Sequence, residues 1–148
     1  MKIFFALLGI AALPPAVTAQ SAKIVKVLPH YLDQKGRHTV SPSLYERDAY
    51  QAWLRKSPAE RSGLRFDVQW KASGVNEVKL RVELRGTANK QPTAATVEKP
   101  FAARGRSSHW SALALTGADY QKFGELIAWR LTVWDGEKLL ADQKSFLW

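Results

Sequence analysis

Cysteine is absent from this 148-residue chain, which excludes a disulfide framework, a thiolate metal centre and a cysteine nucleophile. Glycine loops of the phosphate-cradling kind are missing as well. Acidic side chains are scarce: 13 Asp+Glu stand against 22 Lys+Arg, a formal net charge of +9 at pH 7. No internal repeat and no low-complexity tract interrupts the chain. A mean hydropathy of -0.25, with 46% apolar and 24% charged residues, describes one globular domain, neither a disordered tail nor a multi-span membrane protein.

The opening residues, MKIFFALLGIAALPPAVTAQ, divide into a charged start at Lys2, an apolar run from Ile3 to Leu13, a break at Pro14-Pro15 and the small residues Val17-Thr18-Ala19. That succession is the pattern of a secretory signal peptide. The apolar run is about half of the roughly 20 residues a membrane span requires. A signal peptide over 1–19 is therefore expected, cleaved after Ala19. No transmembrane span then remains, and the product is periplasmic or secreted, with a signal of bacterial type. Residues 20–62 are expected to supply a strand, a loop and a helix packed on a body of strands over 63–148, the two parts forming one domain.

Along the remaining chain the hydrophobic period changes with position. Lys23 to Pro29 is short, β-branched and closed by proline, which suits an edge strand. His30 to Pro42 is polar and reads as a loop. Ser43 and Glu46 form a capping box for a helix, with Leu44, Tyr45, Ala49, Ala52 and Trp53 expected on its buried face. From Gly63 the period is two: Leu64, Phe66, Val68 and Trp70 alternate with Arg65, Asp67, Gln69 and Lys71, and Val78, Leu80, Val82 and Leu84 with Lys79, Arg81, Glu83 and Arg85. Gly86 to Pro92 reads as a loop, followed by strands over Thr93 to Lys99 and Ser108 to Leu115. Thr116 with Asp119 resembles a capping pair for one helical turn ended by Gly124. Glu125 to Trp134 is a strand placing Ile127, Trp129, Leu131 and Val133 on one face, and Asp135-Gly136 marks a hairpin turn into Glu137 to Leu147.

The expected fold is mainly β: a seven-stranded antiparallel β-sandwich with one N-terminal amphipathic helix. Over about residues 63–148 it resembles an immunoglobulin-like or fibronectin III-like domain. Tyr120 falls just before the penultimate strand, where the resemblance implies a tyrosine whose hydroxyl ties the corner to backbone. The cysteine pair of immunoglobulins is absent and the helix near 44–56 is an addition. Such folds host unrelated functions, so fold alone assigns none.

Catalytic constellations find little support. His30, His38 and His109 show no metal-ligand spacing and read as solvated loop residues. A rival reading is an enzyme, either a hydrolase or a metal-dependent one using His30 and His38. Ser108 and His109 are adjacent in a strand and face opposite ways, which defeats a serine–histidine pair. The carboxylates are dispersed among lysines and arginines. No enzyme, cofactor or metal is therefore expected.

Two surface features remain. One is a basic sheet face formed by Arg65, Lys71, Lys79, Arg81 and Arg85 with the loop residues Arg104 and Arg106, suited to concentrating an anionic partner. The other is tryptophan: with Trp53, Trp70 and Trp129 assigned to the core, Trp110, Trp134 and Trp148 are left as a possible sugar platform. The resulting expectation is an exported, non-catalytic binding or scaffolding domain of the bacterial cell envelope. Its partner would be envelope polysaccharide, lipid headgroups or another envelope protein, and not nucleic acid. The alternative is a carbohydrate-binding module using the exposed tryptophans. Two further rivals are an outer-membrane barrel, opposed by Asp142 and Lys144 in the phase of Trp148, and a subunit pairing through the edge strand Lys23 to Val27.

Overall fold

The computed structural model describes residue 15 and residues 18–148; the expected signal peptide lies outside the described residues apart from positions 15, 18 and 19. Among the described residues there are seven antiparallel strands and two helices: β1 (Ser21–Asp33), α1 (Leu44–Lys56), β2 (Arg61–Ser73), β3 (Glu77–Ala88), β4 (Gln91–Ala102), β5 (His109–Thr116), α2 (Gly117–Phe123), β6 (Glu125–Asp135) and β7 (Lys138–Lys144). A 3-10 turn, Pro58–Glu60, joins α1 to β2. The strands form two sheets, ordered β1-β2-β5 and β4-β3-β6-β7. Among the described residues, no helix is long and apolar enough to cross a membrane.

The period-two segments fold as their pattern dictates. Phe66, Val68 and Trp70 of β2 share one core with Leu80, Val82 and Leu84 of β3 and Leu131 and Val133 of β6, so the inner faces of both sheets meet. Phe66 and Trp129 touch edge to face across that core, with ring centroids 6.1 Å apart. Trp70 is fully buried, and its indole N–H donates to Ser111 Oγ at 3.0 Å. Burying these large side chains supplies the driving force for the fold, on the order of 1.5–3 kcal/mol each.

Several boundaries differ from the sequence reading. β1 runs through Pro29 to Asp33, and β4 contains Pro92 and Pro100. Both are edge strands, where a residue without an N–H leaves no ladder bond unmade. His30 is consequently a buried strand residue rather than a solvated loop histidine. The expected loop at Gly86 to Pro92 is a tight hairpin whose two loop residues, Asn89 and Lys90, both have positive φ (50° and 63°), the signature of a type I′ turn. A bulge opposite Arg85/Gly86 pushes Ile127 outward to 50% exposure, so it does not share the core face of Trp129, Leu131 and Val133. Gly86 permits the close passage there: a Cβ would meet Glu125 O and the Phe123 ring at 2.6 Å. Thr116 precedes α2 but makes no side-chain cap. β7 ends at Lys144, after which Ser145 N–H donates to Trp129 O.

The largest correction concerns α1. Ser43 caps it as expected, its hydroxyl accepting from Glu46 N–H at 3.4 Å. The expected buried face, however, is turned to solvent, with Leu44 67%, Tyr45 84% and Trp53 45% exposed. The helix instead docks through Gln51 and Leu54. The Gln51 amide accepts from Tyr31 N–H (2.8 Å) and donates to Tyr31 C=O (2.9 Å) and His38 C=O (2.7 Å). It thus occupies the free edge of β1 as a neighbouring strand would, satisfying backbone groups that are costly to leave unpaired.

Replacing Gln51 by Leu is expected to lower stability by about 1–3 kcal/mol, the cost of stranding buried backbone groups. Chemical denaturation measures the loss, and amide exchange at Tyr31 should accelerate while that of the β2–β3 core residues follows global unfolding alone.

Candidate functional site

The basic residues do not form one face. β2 and β3 are consecutive in the chain but lie in different sheets, because the Gly74 turn carries the chain across the core instead of closing a hairpin. Arg65 and Lys71 therefore stand on the outer side of β1-β2-β5, while Lys79, Arg81 and Arg85 stand on the outer side of β4-β3-β6-β7.

On the four-stranded sheet the cations are occupied. Arg81 donates to Glu98 at 2.7 Å and lies over the Trp134 ring at 5.0 Å. Lys79 is 3.8 Å from the same carboxylate, and Arg81 holds the Glu98 carboxyl below its ordinary range. Arg85 covers Trp148 at 3.8 Å. Trp134 also donates its indole N–H to Thr132 Oγ1 at 2.8 Å. The two tryptophans are engaged by arginines of this sheet, Trp134 on β6 and Trp148 after the end of β7, whereas Trp110 is on β5 of the other sheet. The three therefore share no platform.

The three-stranded sheet is different. Lys23 pairs in register with Lys71, and Ser21 with Ser73, whose hydroxyls are 2.7 Å apart. These residues, with Thr18 and Arg106, line a cleft of about 340 Å³ that contains no carboxylate. Lys23, Lys71 and Arg106 form no ion pair among the described residues. A larger cleft of about 560 Å³ includes Lys79 and Trp134 but also Glu77 and Asp135, two carboxylates against one cation. Beside the acid-free cleft stands Trp110, 55% exposed and opposite Gln69 on the same outer face. Its diagonal neighbour on β2 is Lys71, a spacing of about 7–8 Å in such ladders. Arg104 is exposed in the same loop as Arg106 and lines none of these clefts.

Toward the other end of this face lies a cluster that sequence spacing does not reveal. His30 Nδ1 and Asp67 Oδ2 are 3.1 Å apart, and Arg65 donates to Asp67 Oδ1 from Nε (3.0 Å) and Nη2 (2.8 Å). Burial raises the Asp67 pKa, but the hydrogen bonds from His30 and Arg65 outweigh it and the net shift is downward. The His38 ring lies 5.0 Å from that of His30; burial and then the Arg65 charge lower its pKa, keeping it neutral more readily. Arg65 is thus a paired cation rather than a free anion receptor. The third histidine is elsewhere: His109 packs on Trp70 with Nε2 buried and unpartnered. Ser108, its neighbour, takes a hydrogen bond from Gln69 on the outer face.

The loop that carries His38 is held by Asp33, which is buried. Its carboxylate accepts from Tyr50 O–H (2.6 Å) and from the backbone N–H of Lys35 and Arg37 (2.9 Å each), with Arg37 Nε also at 2.9 Å. Burial raises the Asp33 pKa, yet these donors prevail and bring it from 3.8 down to about 2. Tyr120 sits where the resemblance implies a corner tyrosine and is buried, but among the described residues its hydroxyl has no bond to backbone; burial raises its pKa, against the opposing Arg61 charge.

No protein-family model, curated protein or solved structure matches the chain. The arrangement of its own residues is therefore the ground for any functional reading.

Because the folded Asp33 pKa lies below the unfolded value, its contribution to stability is complete above 3.8 and is lost as pH falls toward about 2. Urea titrations of the wild type and Asp33→Asn should show the variant destabilised at neutral pH, with the two curves converging across that window.

Proposed function

We propose that the chain is an exported, non-catalytic binding domain of the cell envelope that takes an anionic polysaccharide on the outer face of β1-β2-β5. Lys23, Lys71 and Arg106 receive the acidic groups, and the exposed Trp110 face takes an adjoining sugar ring, stacking on its CH groups. The observation that carries this reading is the acid-free, cation-lined cleft beside the solvent-exposed Trp110 on one rigid sheet face. Three uncompensated cations are an unfavourable grouping for solvation alone, since surface charges of both signs are ordinarily interspersed. The N-terminal pattern supports export.

The scaffold in this reading is a sandwich of the immunoglobulin or fibronectin III kind. The order β1-β2-β5 and β4-β3-β6-β7 corresponds to the constant-type immunoglobulin arrangement with its fourth strand moved to the second sheet. The strands then present Lys23, Lys71 and Trp110, and the loop before β5 presents Arg106.

The test is titration of the chain from residue 20 onward, the form left by the expected cleavage, with polygalacturonate and with neutral dextran, followed by tryptophan fluorescence at low and high salt. Polygalacturonate is expected to bind and to weaken as salt screens exposed charges. Reversing Lys71 and Arg106 to Glu should weaken it by about tenfold or more, whereas Arg81→Glu on the opposite sheet should leave it unchanged. Equal binding by wild type and the Lys71/Arg106 double variant overturns the reading, as does preference for neutral dextran or for anionic lipid vesicles.

A further inference from the structure

His30, His38 and Asp67 come from three places in the chain and bring one ligating atom each to within 4.8 Å of the other two. His30 is on β1 and Asp67 on β2, two paired strands, while His38 returns over them from the connection to α1. We propose that these three side chains form a binding site for one divalent transition-metal ion of the imidazole-preferring kind, Zn²⁺ or Cu²⁺.

The donor set selects the class of ion. Two imidazole nitrogens and one carboxylate oxygen suit zinc and copper, whereas calcium and magnesium take shells of oxygen. Spacing agrees. Bonds of about 2.0–2.2 Å in tetrahedral array place ligands roughly 3.3–3.5 Å apart, and His30 Nδ1 and Asp67 Oδ2 are already 3.1 Å apart. The His38 nitrogen lies within 4.8 Å of the ligating atom of each. Three protein ligands leave a fourth position open to water or to a ligand.

The surroundings hold these groups in place. Arg65 grips Asp67 Oδ1 and so turns Oδ2 toward the histidines. Gln51 holds the His38 carbonyl at 2.7 Å, and the Asp33 turn fixes the loop before it. A structural His–Asp pair accounts for His30 alone. It gives no reason for the second imidazole to lie with its ring centroid 5.0 Å from the first, tilted by 34°, since the loop is anchored through the His38 backbone. Arg65 and Arg47 are the cations that oppose a bound ion, and Asp67 offsets one of them.

Untagged full-length protein, stripped with chelator and dialysed, is to be titrated calorimetrically with Zn²⁺ and with Cu²⁺. One equivalent of at least one ion is expected to bind. His38→Ala and Asp67→Asn should each weaken it by about tenfold or more, because loss even of groups outside the ligand shell costs that much. His109→Ala, on β5, should bind as the wild type does. The Cu²⁺ resonance spectrum should show coupling to two imidazole nitrogens in the wild type and to one in His38→Ala. His38→Gln, which retains more of the side-chain volume, serves if His38→Ala proves unfolded by circular dichroism. Absence of stoichiometric binding of either ion overturns the proposal, and so does wild-type affinity or an unchanged copper spectrum in the His38 variants.

Discussion

A guanidinium withdrawn from water must find partners for its charge and its donors, and this requirement at Arg61 organises one whole side of the molecule. Arg61 is buried at the start of β2. Its Nε donates to Leu54 C=O at 2.6 Å and its Nη2 to Arg55 C=O, both at the end of α1. Its Nη1 pairs with Glu125 at 2.6 Å at the start of β6, and its plane lies 4.1 Å from the centre of the Tyr31 ring on β1. One side chain therefore joins α1, β1, β2 and β6. It shares Leu54 C=O with the capping Ser57 N–H and also takes the Arg55 carbonyl, so that helix-end acceptors are satisfied. Burial and the neighbouring Glu125 carboxylate outweigh the Arg61 charge at Tyr31, whose hydroxyl is pushed up to about 12, so the ring stays neutral beside the cation.

That fastening has consequences at the surface. With α1 tied to the β1 edge by Arg61 and Gln51, the loop between β1 and α1 is drawn back over the outer face of β1-β2-β5. His38 comes to His30 for this reason, and Asp33 holds the bend between them. The same face ends, toward Ser21 and Ser73, in a cleft whose cations are not neutralised. One sheet face thus carries two chemically distinct groupings. The opposite sheet spends its arginines on Glu98, Trp134 and Trp148.

Much of the architecture is legible from period alone. Leu64 to Trp70 and Val78 to Leu84 alternate without a break, and a pattern of period two leaves one arrangement that buries the apolar set. The Asp135-Gly136 turn is equally legible, because Gly136 supplies the positive φ its position demands. Periodicity misleads at α1, where counting apolar residues selects Leu44, Tyr45 and Trp53. A glutamine amide that completes an edge strand outweighs that preference, and no sequence pattern marks a glutamine as such a partner. Ile127 is displaced by one extra residue in the ladder, which reverses the phase without altering composition.

Sequence by itself determined the seven strands, the capped helix, the basic charge and the absence of thiol chemistry, since each follows from local residue type and spacing. Tertiary structure alone decided which side chains share a surface. Whether Lys71 stands beside Lys79 or on the far side of the core depends on whether the Gly74 turn closes a hairpin or crosses between sheets. His30, His38 and Asp67 meet because β1 pairs with β2 in one register and the loop is pinned by Gln51. Such proximities arise from pairings between distant segments, and the free energy that selects them comes from burying both sheets at once rather than from any local preference.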